Sequence, residues 1–376
     1  MLLKHVFPVA TKLALATFLG IIPRMCLADY MQFNLASDVP GLANTTDPNL
    51  RNPWGVAFSA TSPFWVSNQG SGTSTLYNGA GTPSALVVSI PGGGPPSGPT
   101  GQVFNGTTGF VLPDGTPAAF IFDTLNGTIV GWNGGAGTTG IQVASTPGAI
   151  YTGLASATVN GANYLYAADS TGQIRVFNSS FKPATLSGTF TDPNPQTGFV
   201  PFNIQLLSGN LYVTYAQLTA QGTGLPGGYI DEYDTSGNFI KRVATGGQLD
   251  APWGLTMAPS GFGALGNDLL VGNFGNGEIL AYDPVSGAYV STLDAMNGNP
   301  IVNDFLWALE FRSTGPDVDP NTLYLTAGIN NQADGLFAEI VNVPEPGSWV
   351  LVLFGLIATT ILFPGARRII VPDRRL

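Results

Sequence analysis

The stretch Tyr164-Leu165-Tyr166-Ala167-Ala168-Asp169, followed after a short turn by Gly172-Gln173-Ile174-Arg175-Val176-Phe177-Asn178, carries the signature of the fold. Two short apolar runs joined by a Gly-bearing turn read as an antiparallel hairpin. The same module recurs along the chain at about fifty-residue intervals, a period that points to propellers or solenoids. An apolar first strand begins near Trp54, Phe104, Gly153, Phe202, Trp253 and Trp307. A second strand follows at Phe64 to Ser67, Ala119 to Phe122, Tyr164 to Ala168, Leu211 to Thr214, Leu269 to Gly272 and Leu323 to Thr326. A third carries an aromatic residue and then Asn or Asp: Tyr77-Asn78, Trp132-Asn133, Phe177-Asn178, Tyr233-Asp234 and Tyr282-Asp283, replaced in the last copy by Phe337-Ala338-Glu339.

A short meander cannot bury both of its own faces, so the copies must stack. Six copies predict an all-β, six-bladed β-propeller spanning residues 29 to 342. A fourth strand is visible at Ala85 to Ile90, Phe239 to Val243 and Tyr289 to Leu293, but the last copy has none. The alternating segment Met31-Gln32-Phe33-Asn34-Leu35 is expected to supply it and so to close the ring. The Pro-Gly run Pro91 to Gly101 reads as a loop between blades, and Gln221 to Gly228 as a second one interrupting the fourth copy.

Composition agrees with this reading. The 376 residues include 50 Gly and 29 Pro, too much punctuation for long helices, and 44% hydrophobic residues, enough for a core. Only 10% of residues are charged. Between residues 29 and 346 there are six Lys or Arg against 22 Asp or Glu, which argues against a nucleic-acid partner. The single His, His5, and the single Cys, Cys26, both precede residue 29. If that segment is removed, Ser-His and Cys-His nucleophilic sites, zinc sites built from His or Cys, and disulfides within the mature chain are excluded.

Both ends read as addresses. Lys4, His5 and Lys12 precede an apolar run from Leu13 to Ile22, and Cys26-Leu27-Ala28 supplies small residues for a signal peptidase, so residues 1–28 are expected to be a secretory signal peptide. At the other end, Val343-Pro344-Glu345-Pro346 leads into Ser348 to Phe363, which carries no charge and would make about 24 Å of helix. The basic pairs Arg367-Arg368 and Arg374-Arg375 come next. Over residues 343–376 this order resembles the tripartite PEP-CTERM sorting signal: motif, one transmembrane helix and basic tail. That resemblance implies a Gram-negative bacterium, an exosortase as processing partner, and a cell-surface or extracellular destination in an exopolysaccharide or biofilm setting. The body resembles NHL-type and regucalcin-like propellers in Tyr164 to Phe177. In Asn52-Pro53-Trp54-Gly55 and Phe64-Trp65-Val66-Ser67-Asn68 it resembles an uncharacterised propeller family that often carries PEP-CTERM tails.

Strand alternation puts the start of each first strand and the end of each second strand on one rim. Ligand-binding candidates there are Asn68, Asp123, Asp169, Asn203, Trp253 and Asn273, a mixture of amide, carboxylate and aromatic groups suited to sugar recognition. Asp169, Asn203 and Asn273 form a candidate oxygen set for Ca²⁺, the one cofactor the residue types suggest. Asn or Asp at a strand end also closes Asx turns, and Trp in Pro-Trp-Gly also packs between blades. Two functions stay open: a non-enzymatic module binding an exopolysaccharide, another glycan or a surface protein, and a divalent-metal-dependent lactonase-like hydrolase, the activity implied by the regucalcin resemblance. No catalytic residue is assignable.

Overall fold

The computed structural model describes residues 29–343 apart from 93, 95, 96 and 220–224. The signal-peptide and sorting-signal expectations, apart from Val343, lie outside the described residues. Among those residues, no helix is long and apolar enough to cross a membrane.

The chain begins with β1 (Asp29–Ser37) and β2 (Thr45–Thr46). Blade 1 is β3 (Pro53–Ala57), β4 (Phe64–Asn68), β5 (Thr73–Tyr77) and β6 (Pro83–Ser89). Blade 2 is β7 (Pro99–Phe104), β8 (Phe120–Thr124), β9 (Thr128–Trp132) and β10 (Ile141–Ser145). Blade 3 has only three strands, β11 (Tyr151–Val159), β12 (Ala162–Asp169) and β13 (Gln173–Asn178). Blade 4 is β14 (Val200–Leu207), β15 (Asn210–Ala216), β16 (Tyr229–Tyr233) and β17 (Phe239–Thr245). Blade 5 is β18 (Pro252–Met257), β19 (Leu269–Asn273), β20 (Ile279–Tyr282) and β21 (Tyr289–Thr292). Blade 6 is β22 (Leu306–Phe311), β23 (Leu323–Ala327) and β24 (Leu336–Val343).

The expected six-bladed propeller is therefore present, and so is its closure. β1 pairs antiparallel with β24 from Asp29 opposite Val343 to Ser37 opposite Leu336, giving blade 6 its outer strand. Tyr30, Leu35 and Ala36 of β1 are buried, so the closing strand adds apolar area as well as ladder bonds.

The repeated residues have identifiable tasks. In five blades the Asn or Asp after the third strand accepts backbone N–H groups from the next turn: Asn78 from Ala80 and Thr82, Asn133 from Gly135 and Ala136, Asn178 from Ser180 and Lys182, Asp234 from Ser236 and Asn238, and Asp283 from Val285 and Ser286. This Asx chemistry explains the period without any ligand. Every innermost strand also bulges just after its start, as between Pro53 and Val56, Pro252 and Gly254, or Leu306 and Leu309. At the bulge the inner strands approach each other closely. A Cβ on Gly55 would lie 2.5 Å from the Thr100 carbonyl, and one on Gly101 would lie 2.2 Å from the Leu154 nitrogen. The Gly of Pro-Trp-Gly is thus a packing requirement.

Two expectations need correction. The first strand of blade 2 starts at Pro99 and ends at Phe104, so Phe104 is its exit and the run Pro91 to Gly101 is partly strand. The Pro-rich approach leads straight into the bulge at Thr100-Gly101, which disguises the start.

Candidate functional site

The face on which the innermost strands begin is here the front, and the face on which they end is the back. On the front, Asn68 is buried at the end of β4 and donates to the hydroxyls of Thr73 and Thr75 at 3.2 and 2.9 Å. Asn273 accepts from the Asp250 nitrogen at 3.0 Å and donates to the Gln248 carbonyl at 2.8 Å, fixing the connection into blade 5. Asp169 accepts from the nitrogens of Ile150 and Thr171 and pairs with Arg175 at 2.6 Å. Burial pushes the Asp169 carboxyl up, but these bonds, led by Arg175, outweigh it and hold the group below its ordinary range.

Asn203 sits in the bulge of β14 and donates to the Trp253 carbonyl at 2.8 Å, tying two inner strands together. Asp123 lies one residue short of the rim, because Pro99 pairs with Thr124. Its Oδ1 accepts from the bulged Gly101 nitrogen at 2.6 Å and lies 2.7 Å from the Thr100 hydroxyl. Burial raises this carboxyl to about 7, partly offset by the bonds from Thr100 and Gly101.

Trp253 crosses the channel, donating from Nε1 to the Thr152 carbonyl of blade 3 at 2.9 Å. Trp54 and Trp307 stack at 3.5 Å, and Trp253 meets them edge-on at 6.2 and 5.6 Å. With Phe202 and Phe274 they form one buried cluster. Most polar groups of this rim hold turns and bulges, Asn68 Oδ1 and Asp123 Oδ2 are buried without a partner, and the tryptophans plug the channel. Asp169, Asn203 and Asn273 come from three different blades and share no hydrogen-bond partner. Among the described residues no group of three or more His, Cys, Asp or Glu side chains is arranged to hold a metal ion.

The back is different. A cavity of about 270 Å³ opens at the channel mouth, with Phe58, Phe104 and Leu206 among its walls and Gln102, Ser156, Gln205 and Glu310 as its polar residues. Phe104 and Leu206 are exposed. Gln205 Nε2 donates to Glu310 Oε1 at 3.1 Å, linking blades 4 and 6 past blade 5. Gln102 Nε2 donates to the carbonyls of Gly55, at 2.8 Å, and Trp65, while its buried Oε1 has no partner. Burial raises the Glu310 carboxyl to about 8, against the smaller opposing effect of Gln205, so it is mostly protonated at neutral pH. Deeper in, beside Gln102, Gln205 and Glu310, the channel narrows to a cavity of about 20 Å³, the scale of one water.

The mouth therefore presents a carboxylic acid that both donates and accepts, within largely apolar walls, and beneath it lies an amide oxygen that is buried and unpartnered. Gln102, Gln205 and Glu310 do not stand out in the sequence. Each lies within an apolar first strand just past the bulge, and the detectable signal was a polar side chain at that place in blades 2, 4 and 6.

The fold and site define a six-bladed propeller with one plugged and one open channel end. No protein-family model matches the chain. It is 30% identical over 337 residues to the uncharacterized protein R648 of Acanthamoeba polyphaga mimivirus, covering 85% of this chain and 82% of that protein. It is also 30% identical over 347 residues to the uncharacterized protein L690 of the same virus, covering 85% and 87%. The chain belongs to the family of these mimivirus proteins. Among solved structures, streptogramin B lyase superposes with a TM-score of 0.49 at 12% identity, over 84% of this chain and 98% of that one.

Proposed function

We propose that this protein is a non-enzymatic binding propeller that takes a polyhydroxylated ligand, a glycan, at the back mouth of its channel. The observation that carries the reading is the convergence of Gln102, Gln205 and Glu310 in an open cavity walled by Phe58, Phe104 and Leu206. Sugar hydroxyls match the hydrogen-bonded pair of Gln205 and a neutral Glu310 carboxylic acid, and sugar C–H faces match exposed rings. We place the ligand here and not at the front rim, where the interlocked tryptophans close the channel. The test is calorimetric titration of the full chain with a panel of neutral oligosaccharides. Phe104→Ala and Glu310→Ala are expected to weaken binding tenfold or more, about 1.4 kcal/mol or above. Unchanged affinity in both variants, or no binding by any saccharide, would remove the proposal.

The setting we infer is export, with signal peptidase and an exosortase as processing partners and an exopolysaccharide or a surface protein as the eventual neighbour. Support comes from the two ends of the sequence, including Val343, Pro344, Glu345, Pro346, Arg367 and Arg368. Mass spectrometry of the mature protein from its native cells is expected to lack both Met1 to Ala28 and Ile369 to Leu376. Recovery of either intact segment overturns the corresponding half.

A further inference from the structure

Blade 3 is the one sheet with only three strands, and the reason is visible in the chain just after β13. Asn178 donates to the Lys182 carbonyl and Ala184 donates to the Val176 carbonyl, each at 2.9 Å, so a fourth strand starts. It then peels away. Gly188 and Phe190 donate to the carbonyls of Ser236 and Gly237 in blade 4, each at 2.9 Å. Phe190 packs against Tyr166 and Tyr233. A Cβ on Gly188 would lie 2.2 Å from the Gly237 carbonyl carbon, so this anchoring is a fitted contact. The strap is thus tied at both ends and leaves a slot of about 350 Å³ where another blade carries its outer strand.

Three properties define what fits there. Residues 174, 176 and 178 turn their backbone groups outward, as the bonds at Val176 and Asn178 establish. The N–H and C=O of Ile174 and the N–H of Val176 have no hydrogen-bond partner among the described residues. Such an alternating donor and acceptor edge is matched by an extended polypeptide backbone. The slot walls include Ile174, Val176, Leu186 and Phe190, which favour apolar side chains. Lys182, next in sequence to the slot-lining Pro183, is exposed, and among the described Lys and Arg residues only its side chain has neither an ion pair nor a hydrogen bond. In a strongly acidic body that unspent cation favours a carboxylate on the incoming segment. We propose that blade 3 binds an extended segment of a partner polypeptide, with apolar residues at alternate positions and one acidic residue, which adds along Gln173 to Val176 as the blade's missing strand. This site is separate from the channel mouth and independent of the ligand proposed there.

The probe is an acetylated hexapeptide of alternating valine and threonine with one glutamate, mixed with the full chain. Saturating peptide is expected to slow amide hydrogen exchange at Ile174 and Val176. Ile174→Pro, which removes an outward N–H from an edge strand, is expected to weaken binding tenfold or more, and Lys182→Glu threefold or more. If Ile174→Pro does not fold, the peptide N-methylated on its pairing amides takes its place and is expected to lose binding equally. Unslowed exchange at millimolar peptide, or equal affinity for the N-methylated peptide, overturns the proposal. A dimer in sedimentation that Ile174→Pro dissolves and that excludes the peptide overturns it in favour of a second copy of this chain.

Discussion

The two ends of the central channel are made by the same six strands and end differently. At the front, the bulges hold Trp54, Thr100, Thr152, Phe202, Trp253 and Trp307, so blades 4, 5, 6 and 1 supply large rings and blades 2 and 3 leave room for them. The rings interlock in one buried cluster. At the back, past the bulge, Gln102, Gln205 and Glu310 replace apolar residues and the end stays open. A bulge inserts one residue and re-aims the side chains beyond it, so one short strand serves a packed end and a polar end. The front should therefore govern stability and the back recognition.

The strongest way to break this comparison is to open the ring. Leu35 and Ala36 of β1 belong to the same buried cluster as Trp54, Trp253 and Trp307, so the plug depends on the strand that closes blade 6. Deleting residues 29–37 exposes that cluster and the edge of β24 together. Two buried large side chains, Tyr30 and Leu35, represent about 3–6 kcal/mol of burial before any ladder bond is counted, comparable to a domain's whole stability. We expect loss of the cooperative thermal transition by circular dichroism. An unchanged melting temperature would show that the front seals without β1.

A smaller effect separates the ends directly. Trp307 is fully buried and donates to Asn52 at 3.0 Å, so Trp307→Ala is expected to cost about 3–5 kcal/mol in urea unfolding. Phe104 is 38% exposed, so Phe104→Ala at the back mouth is expected to cost about 1 kcal/mol or less. Equal costs at the two positions would erase the distinction.

Legibility in the sequence divides along the same line. Period and closure were legible because Asx residues recur at the end of the third strand in five blades and because Met31 to Leu35 alternates where blade 6 lacks a strand. The candidate rim was legible as a place, since Pro53 opposite Asn68 and Pro252 opposite Asn273 put strand starts and ends together. Its chemistry was not. Asn273 looks the same in sequence whether it binds a ligand or the Gln248 carbonyl, and only the fold brings that carbonyl near. Asp123 departs from the expected rim because a one-residue register difference puts Thr124 there and aims Asp123 at the bulge. The back mouth was hidden by the bulges themselves, which interrupt the alternation that normally reveals an inward polar residue.

The finest contrast concerns Asp123 and Glu310, one acid near each end. Glu310 is raised from 4.5 to about 8 and Asp123 from 3.8 to about 7, both chiefly by burial. As pH rises above 4.5 the unfolded chain releases the Glu310 proton while the folded chain keeps it. The folded state then holds more protons than the unfolded one, so stability falls with rising pH until about 8, where the folded group also ionises. Glu310→Gln cannot ionise and retains a neutral polar group beside Gln205. Its melting temperature relative to the parent protein is therefore expected to climb from pH 4.5 to 8 and then level off. Asp123→Asn is expected to show the same sign, with its climb ending near 7. A neutral saccharide held at the mouth by protonated Glu310 should delay the parent's loss of stability to higher pH, and should do so in Asp123→Asn but not in Glu310→Gln. A melting-temperature difference between Glu310→Gln and the parent that stays flat from pH 4.5 to 8 would mean that Glu310 ionises normally. The back mouth would then carry a negative charge, unlike the neutral polar surface on which the comparison of the two ends rests.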